Sequence, residues 1–254
     1  MISIIMPVLN EAAIIRTALD ILLQQAGNYE IIIVDGGSHD GTCDLAQRFP
    51  IQLVRMPRDR PPGIGSQINL GAERATGDVL LFLHADVQLP SNAMTHIDAA
   101  LSEPDIVGGG FVPAFARSAH SAQRLMLKLV ERGWQTRTRV FCWFAGDTAP
   151  FVRTEAFTRS GGYPATSFAS DWDFAAQLRK LGRLAVIREP VCVDSRRHIY
   201  NGVLKTLLVT GSIELMYQLG ADRDFLRDWY RRWLPREREL RGSGQKRQVH
   251  EQLH

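Results

Sequence analysis

Four short apolar runs recur near the amino terminus: ISIIM at residues 2–6, EIIIV at 30–34, IQLVR at 51–55 and DVLLFL at 78–83. A segment of helical period succeeds each, at residues 11–25, 42–49, 66–75 and 91–101. This alternation predicts βα units. Because the runs are continuously apolar rather than alternating, the strands should form a parallel sheet with both faces covered by helices. Ligands of such sheets bind beyond the carboxyl ends of the strands. The residues just past each run are therefore the first candidates for a site, above all His84, Ala85 and Asp86 after LLFL.

With 254 residues, 45% of them hydrophobic and 22% charged, the chain can bury a full core. A net charge of +3 does not mark a nucleic-acid binder, and the arginines between 223 and 247 read as a solvated face or tail. Cys43, Cys142 and Cys192 are too far apart for a CxxC site, so neither structural zinc nor a disulfide framework is expected. The amino terminus enters a strand at once, without a signal-peptide pattern, and no apolar run is long enough to span a membrane. A cytoplasmic location is the expectation, with any membrane contact peripheral.

After Val107 the rhythm changes. A glycine run, Gly108 to Gly110, precedes FVPAF and a helical stretch from Ser121 to Trp134. Then come WFAGDTAPFVR, a turn at Gly161 and Gly162, a helix at about 171–181, a strand near 185, VCVD, SRRH, and one or two amphipathic helices at 201–233. With no Pro-, Gly- or Ser-rich linker, residues 1–220 read as one domain. Its first half, 1–110, reads as a nucleotide-binding type of α/β half and 111–200 as a second functional half; residues 201–254 add C-terminal helices and a basic tail.

The strand ends carry the candidate chemistry. PVLNE closes the first run and VDGGSHDGT the second. Asp35, directly after IIIV, must find partners or stay solvated in a crevice; Asp40 is either a ligand group or the cap of the helix starting at Thr42. The loop PRDRPPGIGSQINLG departs from GxGxxG, since Ile68 stands where the third glycine belongs. It is either a glycine-rich helix entry, with Gly65 and Asn69 near a diphosphate drawn by Arg58 and Arg60, or an exposed basic loop. Asp86 suits a divalent cation, because Mg²⁺ and Mn²⁺ take hard oxygen ligands. His84 is either a further ligand or a core histidine. Arg124, Lys128 and Arg132 form a stripe that is a solvated face or a dock for anionic lipid.

In order, PVLNE, VDGGSHDGT, GSQINLGAERATGDVLLFLHAD, AGDTAPFVR, GGYP and SDWDF resemble the family-2 glycosyltransferases of GT-A fold, in a bacterial subgroup with HAD as the metal motif. The resemblance covers about residues 1 to 220. It implies that Pro7, Glu11 and Asp35 surround the nucleoside of a nucleoside-diphosphate sugar, that Asp86 holds Mn²⁺ or Mg²⁺, and that Asp171 is the base of an inverting transfer. It places SRRH where relatives close over the diphosphate, with Arg196 and Arg197 as phosphate partners and His198 near the metal; the alternative is a charged surface turn. The acceptor would be a glycan, a lipid or a small molecule; nucleic acid is not expected, and an oligomer is possible.

His84 replaces the first aspartate of the usual motif, and Ser170 the glutamate before the base. Ser170 and Asp173 also have capping-box spacing, so SDWDF could simply start a helix. Two rivals stand: a nucleotidyltransferase on a related sheet, and a sugar-nucleotide binding or regulatory protein without turnover.

Overall fold

A computed structural model describes residues 1–115, 121–142, 144–164, 166, 168–193 and 201–234. The chain divides into two compact units, residues 1–116 with 131–194, and 117–130 with 195–254.

The first unit is built on β1 (Ile2–Val8), β2 (Tyr29–Asp35), β3 (Gln52–Arg55), β4 (Val79–Phe82), β5 (Val87–Gln88), β6 (Ile106–Phe115), β7 (Phe151–Arg153) and β8 (Arg183–Val193). These form one sheet in the order β3-β2-β1-β4-β7-β6-β8-β5. β1, β2, β3 and β4 are parallel, β7 runs antiparallel to both β4 and β6, and β8 is parallel to β6. Alternate residues of the central strands enter opposite cores. Ile4, Met6, Ile31, Ile33 and Leu81 pack on one face, and Ile5, Ile32, Val34, Leu80 and Phe82 on the other. Two-sided burial is why these runs are apolar on both faces, and the one buried hydroxyl among them, Ser3, is satisfied by donating to Glu30 Oε1 at 2.6 Å.

Helix α1 (Ile15–Leu22) buries Ile15, Leu19 and Leu22, one stripe at helical spacing. It is shorter than the periodicity at 11–25 implies, because the chain first turns, with Ile14 and Ile15 N–H both donating to the Glu11 carbonyl. Helix α2 (Thr42–Ala46) is likewise short, and Gly41, in the left-handed region, occupies its N-cap in place of Asp40. On the other face lies α3 (Ile64–Ala72), where a Cβ on Gly71 would sit 2.4 Å from Ile5 Cγ2. Glycine there lets helix and sheet approach. Helices α4 (Ala93–Ala100), α5 (Ser121–Phe141), α6 (Thr154–Arg159) and α7 (Ser170–Leu178) come next in the chain.

The glycine run is strand, not punctuation. Gly108, Gly109 and Gly110 lie within β6, where added Cβ atoms would fall 2.6 Å from the Phe151 carbonyl oxygen, 2.2 Å from that of Ala185 and 2.4 Å from Phe144 Cδ1. LAVI and the VCV of residues 191–193 are one strand, β8, joined through a register shift that accommodates Pro190. Of the second unit, residues 121–130 are the first half of α5, while α8 (Val203–Gln218) and α9 (Arg223–Trp233) lie beyond residue 200. Asp222 caps α9, its Oδ1 accepting from Asp224 and Phe225 N–H at 3.0 Å each. None of the helices among the described residues is long and apolar enough to cross a membrane.

Candidate active site

The strand order reverses between β1 and β4, with β2 and β3 to one side and β7 to the other. At such a switch point the carboxyl ends diverge and leave a crevice. The β1–β4 ladder ends at Ile5↔Phe82, with Leu83 N–H still donating to the Ile5 carbonyl. Pro7 points its missing N–H along that same edge, beyond the last pair, so a central strand tolerates proline here.

Two loops at this edge are laced together. Asn10, at φ 56°, accepts from His39 N–H through Oδ1 at 2.9 Å, and its own N–H donates to Ser38 Oγ at 2.8 Å. Glu11 N–H donates to Thr42 Oγ1 at 2.8 Å, and Ala12 N–H to Asp40 Oδ2 at 3.1 Å. Asp40 thus clamps both loops: burial favours its neutral form, but bonds from Thr42 and Ala12 outweigh this and hold its pKa below the ordinary value. Asp35 is buried, its carboxylate accepting from Gly37 and Ser38 N–H at 3.1 Å. An ionised carboxylate has further lone pairs, so Asp35 can still accept from a ligand.

Below the loops, Gln67 is buried and its Nε2 donates to the carbonyls of Val8 at 3.0 Å and Val34 at 2.7 Å, tying β1 to β2 at their carboxyl ends. Asn69 uses both amide atoms on Tyr163: Nδ2 donates to its carbonyl at 2.9 Å, and Oδ1 accepts from its N–H at 2.7 Å. A Cβ on Gly65 would lie 2.7 Å from the Pro164 carbonyl oxygen. Gly65 and Asn69 therefore seat α3 against the Gly161–Gly162 turn. Arg60 forms a two-pronged pair with Glu73 at 2.8 Å, while Arg58 is an exposed cation of the same loop.

Past β4, Asp86 is exposed, while His84 is half-buried with its ring against Gly146, whose added Cβ would fall 2.2 Å from Nε2. Gly146 opens a 3-10 turn, Gly146–Thr148, and its N–H donates to Asp171 Oδ2 at 3.3 Å. Asp171 Oδ1 accepts from Trp172 N–H at 3.0 Å. Asp173 turns elsewhere, its Oδ2 accepting from Thr166 at 3.4 Å. The capping box does not form, because Ala169 takes the N-cap in the left-handed region and Ser170 is already helical.

Asp171 keeps partial solvent access, yet burial outweighs its two backbone bonds and the nearby Arg137, raising its pKa to about 6. Asp147 is raised further, to about 7, first by burial and then by the charge of Asp171, with Asp86 adding to it and Arg137 opposing. Among the described residues, Asp147 Oδ1 is buried without a hydrogen bond. Tyr163, stacked on Phe174 at 4.7 Å in a cluster with Phe82 and Phe157, also feels Asp171; burial and that charge raise its phenol well above the ordinary range. Carboxylates with raised pKa beside a cation in a crevice are the pattern of an acid–base site.

Asp147 and Arg137 were not legible as site residues. AGDT carries Asp147 inside an apolar segment, the one signal that could have found it, while Arg137 looks like one more polar position of α5. Arg196, Arg197 and His198 lie outside the described residues. Lys128 and Arg132 are exposed, and the side chain of Arg124 is not among those described. Among the described residues no three His, Cys, Asp or Glu side chains form a ready-made metal cage. Asp86, one exposed carboxylate, is a hard oxygen donor of the kind Mg²⁺ and Mn²⁺ take, and a cation there would need its other ligands from elsewhere.

The family described as Glycosyl transferase family 2 matches residues 3–157. The PGL/p-HBAD biosynthesis glycosyltransferase of Mycobacterium tuberculosis is 33% identical over 187 residues, covering 68% of each chain. The undecaprenyl-phosphate 4-deoxy-4-formamido-L-arabinose transferase of Aeromonas hydrophila is 33% identical over 117 residues, 42% of this chain and 36% of that protein. Among solved structures, mannosyltransferase PcManGT from Pyrobaculum calidifontis, in complex with GDP-Man and Mn²⁺, superposes with a TM-score of 0.59 at 21% identity. The match covers 82% of this chain and 61% of that one. S. aureus TarS 1-349 in complex with UDP-GlcNAc gives 0.61 at 16% identity, covering 99% and 77%. The expected α/β fold of GT-A type is therefore the fold of this chain.

Proposed function

The chain belongs to glycosyl transferase family 2, and from that premise we propose that it moves a sugar from a nucleoside diphosphate to an acceptor hydroxyl with inversion. The observation that carries this reading is Asp171, a carboxylate fixed by Gly146 and Trp172 N–H and raised to about 6, within electrostatic reach of Arg137 at the edge that also presents Asp86. It is ionised at neutral pH, yet basic enough to take a proton from a hydroxyl in the transition state.

Pro7, Glu11 and Asp35 line the nucleoside end, with the laced loops holding Glu11 in place. Gly65 and Asn69 serve the site through the turn that leads to Asp171. Asp86 would hold Mn²⁺ or Mg²⁺, whose chemistry is to neutralise charge on the departing diphosphate. Arg196 and Arg197 are the proposed cations over that diphosphate, with His198 the proposed neighbour of the metal. The ligands of the Pyrobaculum and S. aureus structures, GDP-Man with Mn²⁺ and UDP-GlcNAc, support a nucleotide-sugar donor. The relatives named for PGL/p-HBAD biosynthesis and undecaprenyl-phosphate chemistry favour a lipid-type acceptor.

Asp171→Asn keeps the shape and removes the proton acceptor. Transfer at saturating donor should fall by roughly 10² to 10⁴ with donor affinity unchanged, and wild-type turnover should fall as pH drops through about 6. Near-normal turnover in the variant would move the base elsewhere.

A further inference from the structure

Helix α8 has two apolar faces. Val203, Thr206, Val209 and Ile213 are buried on one. On the other, Leu204, Leu207, Leu208, Leu215 and Leu219 are 40–78% exposed. At 3.6 residues per turn these five fall within a stripe about 120° wide, with Gly211 about 20° from its midline. A soluble helix seldom offers five leucines to water without a partner to cover them.

The stripe is nearly palindromic. Leu204 and Leu219, then Leu208 and Leu215, are placed symmetrically about the Gly211–Ser212 step. Two copies of α8 laid antiparallel would set Leu204 of each against Leu219 of the other and Leu208 against Leu215, the self-complementary surface a twofold contact requires. Gly211 marks the crossing. Glycine inside a helix costs stability relative to alanine, and no described residue lies within 4 Å of where its Cβ would be, so no contact seen within the chain explains it. A backbone approaching from outside does. The helix that carries the stripe is itself charge-balanced, with Lys205 against Glu214 along residues 203–218, so it presents no basic face of its own to an anionic lipid. Binding to lipid by an amphipathic helix draws on a clear basic excess.

We propose that the exposed leucine stripe of α8 is the interface of a homodimer, two copies packed antiparallel about Gly211. Sedimentation velocity of the full chain should give the dimer mass at micromolar concentration, and the Leu208→Glu/Leu215→Glu double variant the monomer mass with an unchanged circular dichroism spectrum. Oxidation should link Gly211→Cys to itself in a dimer that reductant separates. Leu204→Cys, about 22 Å from its own copy in this arrangement, should cross-link only when mixed with Leu219→Cys. These pairs decide the matter if the double variant does not fold. A wild type that stays monomeric over a hundredfold rise in concentration overturns the proposal. So does a Leu204→Cys protein that links to itself, or a monomer that instead cosediments with phosphatidylcholine–phosphatidylglycerol vesicles through this stripe.

Discussion

Replacing Asp147 with asparagine should make the protein more stable, by a gain that grows from about pH 4 and is complete above about pH 7. Its folded pKa of about 7 lies above the ordinary 3.8. The stability it contributes is therefore fully present below pH 4 and lost as pH rises through about 7. A shift of about three units at 1.36 kcal/mol each sets a ceiling of about 4 kcal/mol. The residue keeps some solvent access, so water in the crevice screens part of this. A gain of about 1–2 kcal/mol at pH 8 is expected for Asp147→Asn, or a rise in Tm of about 2–8 °C for a chain of this size. Near pH 4.5 most of that gain should vanish, because this pH lies within a unit of the ordinary 3.8 and little of the difference in proton binding between folded and unfolded chains has accumulated. Asp171 ionises at lower pH, while Asp147 is still neutral, so its pKa should stay at about 6 in the variant. Thermal melts of both proteins at the two pH values test this. An equal Tm difference at both, or a less stable variant at pH 8, would refute the reasoning that burial and the Asp171 charge penalise ionised Asp147.

Gln67→Ala takes a donor from the Val8 and Val34 carbonyls at the buried end of the sheet; a loss of about 1–3 kcal/mol in urea denaturation is expected. Gly71→Ala should cost about 1–3 kcal/mol by overpacking although alanine is the better helix former, since the new methyl would meet Ile5 Cγ2 at 2.4 Å and Val34 Cγ2 at 3.2 Å. A stabilised Gly71→Ala protein would show that α3 can shift off the sheet. Asp86→Ala, at an exposed position, should leave the Tm unchanged and abolish the Mn²⁺-dependent part of nucleoside-diphosphate binding in calorimetry; metal-dependent affinity that survives would remove Asp86 from the ligand set.

The βα half was legible because its signal is local. Strands buried on both sides must be apolar on both faces, so ISIIM, EIIIV and DVLLFL announce a covered parallel sheet, and the residues after each run must lie at its carboxyl edge. The motif series from PVLNE to SDWDF pointed to the family in the same way, since order along the chain survives without knowledge of contacts. Other features depend on residues distant in sequence. Gly108 to Gly110 read as a break, but the backbones of β7 and β8 and the ring of Phe144 come too close to β6 for side chains. Asn69 looked ligand-facing until Tyr163, 94 residues away, took both its amide atoms. Arg60 seemed free for phosphate, but the turn of α3 delivers Glu73 to it. Asp147 and Arg137 were silent because a pKa is set by the density and charge of everything nearby, and only the folded chain brings the Gly146–Thr148 turn, α5 and α7 together around Asp171. Periodicity and the order of motifs belong to the sequence; packing alone decides which polar atoms are already satisfied and which remain for a substrate.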